Sequence, residues 1–95
     1  MTTTQIATLV ARAHGYSLAD LRRKDRSEPL ATVRHKAMTA CVDVGHKTEK
    51  VTARVFRRKS TGTVWHAVNR VHGLCDVCPS FKTEYEALKR KCVGQ

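Results

Sequence analysis

The stretch VFRRKSTGTVWHAVNRV, Val55 to Val71, decides the fold. Its first part is a knot of positive charge, Arg57, Arg58 and Lys59. Its second part sets Val64, Ala67, Val68 and Val71 at the spacing of one helix face, with Lys59, Thr63, His66 and Arg70 on or beside the polar side. Ser60 or Thr61 is placed to start that helix, because a short hydroxyl side chain can accept one of the free N–H groups of a first turn. Just upstream, TEKVTARVF has Thr48 in a capping position and reads as a short helix burying Val51 and Val55. Two helices joined by a turn of about four residues, Phe56 to Lys59, have helix-turn-helix architecture.

The rest of the chain supplies further helices around this pair. In TTTQIATLVARAHGY, Ile6, Leu9, Val10 and Ala13 recur at helical spacing after a threonine run able to cap, and Gly15 is placed to end the helix. SLADL has Ser17 followed by Asp20 three residues on, a capping-box start for a short helix with Leu18 and Leu21. RRKDRSEP reads as a charged loop ending at Pro29. LATVRHKAMTACVDV then forms a helix with Leu30, Val33, Ala37, Met38, Cys41 and Val44 on its buried face, stopped by Gly45. Beyond Val71, the segment from Leu74 to Pro79 reads as a connection. Ser80 is placed to cap a last helix with Phe81, Tyr85 and Leu88 inward and Lys89 to Lys91 solvated at its end. The expected fold class is all-α, with about six short helices.

Size and composition agree with that outline. A chain of 95 residues suits one small domain, residues 1–95, and 41% hydrophobic with 5% aromatic content points to a core of Val, Ala and Leu in packed helices. No apolar run approaches the roughly 20 residues of a membrane span, and MTTTQIATLV lacks the features of a signal peptide. A cytoplasmic protein with no membrane partner is expected. Net charge is +10, of which +8 lies between Arg22 and Lys59. Such asymmetry suits a polyanion, since each cation placed near a phosphate releases condensed counterions.

The cysteines raise the question of metal. Cys75 and Cys78 form C-x-x-C, with His72 before them and Cys92 after, a set that zinc could in principle use. A second close pair of ligands is missing, so no metal and no cofactor is expected, and Cys41 reads as a small core residue. No nucleophile stands at convincing spacing from a base, so no catalytic residue is assigned. His66 reads as polar helix surface or a support position. Trp65 reads as an anchor in or at the edge of the core rather than as a base-stacking ring.

From about Ile6 to Ala67, and more loosely to Cys92, the chain resembles the C-terminal DNA-binding domain of the bacterial replication initiator DnaA. HGYSLADL is similar to the "YYGL…DLL" element of that family, RRKDRSE to its basic "SKRRSR" loop, TVRHKAMTAC to "RPRQIAMYLA", and FRRKSTGTVWHA to "FGGRDHTTVLHA". The resemblance implies a Trp-repressor-like fold. Its second helix-turn-helix member would enter the major groove of double-stranded DNA while an arginine of the basic loop reaches the adjacent minor groove. The minor-groove arginine falls on Arg26, and a DNA-contacting arginine at the start of the long helix falls on Arg34, with His35 in place of a glutamine.

The base-reading "RDHT" run falls on Lys59, Ser60, Thr61 and Gly62, and there the identities are largely lost. Lysine keeps a phosphate contact but not the planar fork of arginine. The other three changes remove a carboxylate acceptor, an imidazole and a methyl group that read base edges. A target other than the usual DnaA box is therefore expected. Glycines of the family turn have become Arg57 and Arg58, which add charge but tolerate a positive φ less well. The expected interface is Arg26 in the minor groove, Lys59 to Thr63 at base edges, and Arg34, Lys36, Lys47, Lys50, Arg57 and Arg58 on phosphates. The chain carries no G-x-x-x-x-G-K-[ST] loop, so no nucleotide and no ATPase activity are expected, and its role would lie in replication or transcription control. The alternative is an adaptor that keeps the fold and turns its basic face to an acidic protein partner.

Overall fold

A computed structural model describes residues 2–24, 26–46 and 48–93. The order of elements is α1 (Thr3–Ala13), α2 (Leu18–Arg22), α3 (Leu30–Asp43), α4 (Glu49–Val55), α5 (Thr61–Val77) and α6 (Pro79–Val93). Among the described residues every regular element is a helix, as the periodicities require.

Local sequence sets most of the helix ends. Thr2 and Gln5 form a reciprocal capping box on α1, and Ser17 and Asp20 form one on α2. At the end of α1, Gly15 takes φ +80°. Its N–H reaches the Arg12 carbonyl at 3.0 Å while the Tyr16 N–H reaches the Ala11 carbonyl at 2.9 Å. That paired pattern satisfies the last carbonyls and needs a left-handed residue, which glycine supplies without steric penalty. Thr48 caps α4 by accepting the Val51 N–H, and Ser60 caps α5 by accepting the Gly62 N–H at 3.1 Å.

The core is organised on α3, which is packed by α1, α2, α4 and α5. Its residues Leu30, Val33, Ala37, Met38, Ala40 and Cys41 are all buried. Thr39 is buried as well: its hydroxyl donates to the His35 carbonyl at 2.7 Å and lies 3.4 Å from the Ala67 carbonyl of α5. Small side chains on both helices at that crossing let the backbones approach. Ile6, Ala7, Val10 and Ala11 close the core from α1, and Phe56 seals it beneath the turn between α4 and α5. Burying a ring of that size contributes roughly 2 kcal/mol. The Cys41 thiol, fully buried, is pushed up to about 12 by loss of solvent, which fits a packing role.

Several expectations need correction. On α4 the inward residues are Thr52 and Ala53, while Val51 is 38% exposed and Val55 half-buried. A seven-residue helix meets its neighbours on a narrow stripe, and Val55 packs against the core on it while Val51 falls outside it. On α1, Ala13 is exposed, and Ala7 and Ala11 take the inward places. The helix α5 does not stop at Val71 but runs to Val77, so the connection expected from Leu74 to Pro79 is reduced to Cys78. The apolar spacing continues through Leu74 and Cys75, and the exposed Gly73, at about 1 kcal/mol relative to alanine, is too weak a break to end it. Ser80 does not cap α6. The Cys78 carbonyl accepts the Lys82 N–H at 3.1 Å, and Pro79 is the first helical residue, where its missing N–H costs nothing.

Two polar clusters fasten α6 to the rest. Asp43, at the end of α3, accepts the buried Tyr85 hydroxyl at 2.8 Å and lies 2.9 Å from His72 Nε2 of α5. Burial and this carboxylate push the Tyr85 phenol well above its ordinary range. The second cluster surrounds Lys36, whose Nζ lies 3.3 Å from His14 Nε2, 3.8 Å from Glu84 and 4.9 Å from the Phe81 ring centre.

Candidate nucleic-acid interface

The basic loop between α2 and α3 is held against the helix-turn-helix by arginines that spend their guanidinium protons on backbone carbonyls. Arg22 Nε donates to the Val55 carbonyl at 2.9 Å, which ties the end of α2 to the end of α4. Arg34 donates from Nε to the Leu21 carbonyl and from a terminal nitrogen to the Arg23 carbonyl, both at 2.8 Å. Arg58 donates to the same Arg23 carbonyl at 2.9 Å from the turn before α5. The unsatisfied carbonyls at the end of α2 are therefore met by cations, which a helix C-terminus favours electrostatically. The consequence is positional: the segment that follows Arg23 starts beside α5.

A cleft of about 780 Å³ results, with Lys24, Arg26 and Glu28 of the loop on one side. Thr63, His66 and Arg70 of α5 form the other side, with Arg34, His35 and Arg58 also contributing to the lining. His35 is half-buried, and its buried Nδ1 has no hydrogen-bond partner among the described residues. Burial first, then the nearby Arg70 and Arg34 charges, lower its proton affinity. Five Lys or Arg side chains against the one carboxylate of Glu28 leave this concave surface with a surplus of positive charge, which suits an anion.

Helix α5 begins after an unusual turn. Arg57 adopts φ +55°, the left-handed region, in the place that follows α4. Its N–H reaches the Arg54 carbonyl at 3.1 Å and the Arg58 N–H reaches the Ala53 carbonyl at 2.8 Å, the same paired pattern that Gly15 completes after α1. An arginine thus holds the conformation for which glycine is suited, and its exposed side chain sits at the mouth of the helix-turn-helix. From there Lys59 and the cap residue Ser60 are exposed ahead of α5, Thr61 and Thr63 are exposed on its first turn, and Gly62 is half-buried. Lys50, exposed on α4, lies across a second, smaller groove from Thr61, Gly62 and Trp65.

The residues expected at the interface do not all stand there. Arg26, His35, Arg58 and Thr63 come together in the cleft, and Arg34 joins them from beneath, only 5% exposed and bonded to backbone. Lys36 does not. It is 4% exposed, and its ammonium points to His14, Glu84 and Phe81, away from the cleft, so the phosphate contact expected of it is corrected to a buried internal one. Neighbours in sequence on a helix are about 100° apart, and α3 is covered on nearly all sides. Lys47 lies outside the described residues. Sequence reasoning missed Lys24 and Arg70; the latter was legible, since Thr63, His66 and Arg70 follow one another at i+3 and i+4 on a single helix face. Trp65 is also corrected: it is 57% exposed rather than a core anchor.

Among the described residues no helix is long and apolar enough to cross a membrane, and no cluster of three His, Cys, Asp or Glu is placed to hold a metal ion. Residues 3–71, from α1 into α5 as far as Val71, match the family described as the bacterial dnaA protein helix-turn-helix. The match covers the capped α2, the basic loop, α3 and both members of the helix-turn-helix, and the chain belongs to this family of DNA-binding domains.

Proposed function

We propose that the chain binds double-stranded DNA with α5 in the major groove and the loop bearing Arg26 in the adjacent minor groove. The observation that carries this reading is the single cleft shared by the loop and the outer face of α5, lined by Lys24, Arg26, Arg58 and Arg70. Loop and helix lie on either side of one concavity, as a sugar-phosphate backbone running between the two grooves requires. Arg57 and Lys59 extend the positive surface along the helix-turn-helix. Base reading by hydrogen bonds rests on the short side chains of Ser60, Thr61 and Thr63, so specificity is relaxed or directed at a sequence other than the DnaA box. Such a module acts in replication or transcription control by occupying DNA, without ATP hydrolysis.

Fluorescence anisotropy with A·T-rich, G·C-rich and DnaA-box duplexes over a salt series tests the reading. The logarithm of affinity should fall linearly with the logarithm of salt, by about 0.9 per neutralised phosphate. Arg26→Ala should weaken A·T-rich duplexes more than G·C-rich ones, because a narrow minor groove concentrates negative potential. Absence of binding at about 50 mM salt would overturn the assignment. Binding to polyglutamate instead would move it to an acidic protein partner.

A further inference from the structure

The recognition helix has a second flank that the basic cleft does not use. Trp65, the one tryptophan of the chain, projects from it 57% exposed, its ring edge-on to His66 at 5.2 Å. Beside it lies an open groove of about 340 Å³ between the first turns of α4 and α5, lined by Thr48, Glu49, Lys50, Thr61, Gly62 and Trp65. His66 belongs to the cleft and Trp65 to the groove, so the exposed edge of α5 divides one continuous surface.

The chemistry of the groove differs from that of the cleft. Its walls carry one carboxylate, Glu49, against one ammonium, Lys50, and an indole forms its side. A phosphate gains little there, because Glu49 offsets Lys50. Gly62, three residues before Trp65, adds no side chain to cover the ring. A side chain at that position would also crowd the Ser60 cap, since a Cβ would stand 3.2 Å from the Ser60 Oγ. What remains is an apolar surface beside the first turn of a helix that, on the DNA-binding reading above, lies in the major groove. The apolar feature a duplex presents in that groove is the thymine 5-methyl group.

We propose that Trp65 is a specificity-determining residue that packs against thymine methyl groups, an inference that rests on the DNA-binding reading. It supplies apolar readout where Ser60, Thr61 and Gly62 offer few hydrogen bonds to base edges. The charged cleft fixes the chain on the backbone, and the indole favours thymine over cytosine or uracil at the pairs beneath it.

The test compares one A·T-rich duplex made with thymine and the same duplex made with uracil, which differ only in the methyl groups. Wild-type protein should bind the thymine form about five-fold more tightly, and Trp65→Ala should bind both forms with the affinity of wild type for uracil. Because the chain has a single tryptophan, its emission should also shift to the blue on the thymine duplex as the ring leaves water. Equal affinity of wild type for both duplexes, or a thymine preference that survives in Trp65→Ala, overturns the role of Trp65 and leaves DNA binding intact. Failure to bind either duplex at about 50 mM salt overturns both. Should Trp65→Ala fail to fold, the wild-type comparison and the emission shift still decide.

Discussion

Replacing Arg57 by glycine should make the protein more stable and a weaker DNA binder at once. Arg57 closes α4 at φ +55°, where an L-residue brings Cβ close to the following carbonyl oxygen. That conformation is unfavourable by about 1–2 kcal/mol for a residue other than glycine. Glycine removes this strain but loosens the unfolded chain by roughly 0.5–1 kcal/mol, so the expected net gain is about 0.5–1 kcal/mol. For a domain of this size that corresponds to a rise in Tm of about 4 °C. The hydrogen bonds from the Arg57 and Arg58 N–H groups to the Arg54 and Ala53 carbonyls need no side chain and persist in the variant.

Arg57→Ala separates the two effects, because alanine keeps the strain and loses the charge. Thermal denaturation followed by circular dichroism should place Gly above wild type and Ala close to it. Anisotropy over a salt series should show both variants losing about 0.9 from the slope if Arg57 meets a phosphate. A glycine variant that melts below wild type would refute the reasoning, since it would mean that packing of the arginine stem outweighs the backbone strain.

Lys36→Met should leave DNA affinity and its salt slope unchanged and alter stability by less than about 1 kcal/mol, because the ammonium is buried among His14, Glu84 and Phe81 and methionine fills a similar volume; a slope smaller by one phosphate would put the ammonium on DNA. Tyr85→Phe should lower stability by about 1–2 kcal/mol in urea denaturation, since it deletes the donor to Asp43 from a buried site, and an unchanged midpoint would show that His72 and solvent satisfy the carboxylate alone. The His14 and His35 rings both have proton affinity lowered from the ordinary 6.5, in each case mainly by burial, with Lys36 acting on the first and Arg70 on the second. Below that value the unfolded chain binds more protons than the fold, so stability should decline as pH falls from about 7 to about 5. Asp20, held below its ordinary 3.8 chiefly by the Ser17 backbone N–H, adds its own loss only at lower pH. Tm measured across that range should fall for wild type and less for a His14→Gln, His35→Gln variant; a flat wild-type profile would show that folding leaves both rings unperturbed.

The helices of this protein were legible in the sequence wherever a local signal was strong. Ser17 with Asp20, Thr48, Ser60 and Gly15 act within a turn of where they stand, and the structure uses each of them as a cap or a stop. The resemblance to the DnaA domain rests on motifs at fixed spacing and extends over the same helices that the family match covers. The polar side of α5 was likewise readable, because a single helix carries Thr63, His66 and Arg70 at its own period.

What the sequence determined by itself is therefore the set of helices, the caps of α1, α2, α4 and α5, the surplus of positive charge between Arg22 and Lys59, and the family. Tertiary structure alone decided which of those charges reach solvent and what the buried ones face. Arg34 and Lys36 stand two residues apart on α3 with equal formal charge, yet one lies beneath the basic cleft and the other on the far side of the helix under α6. It also decided that Val51 and Trp65 are exposed, and that α5 outlasts Gly73. The physical reason is the same in each case: periodicity fixes the angle between side chains on one helix, but only the neighbouring helices fix which angle faces water.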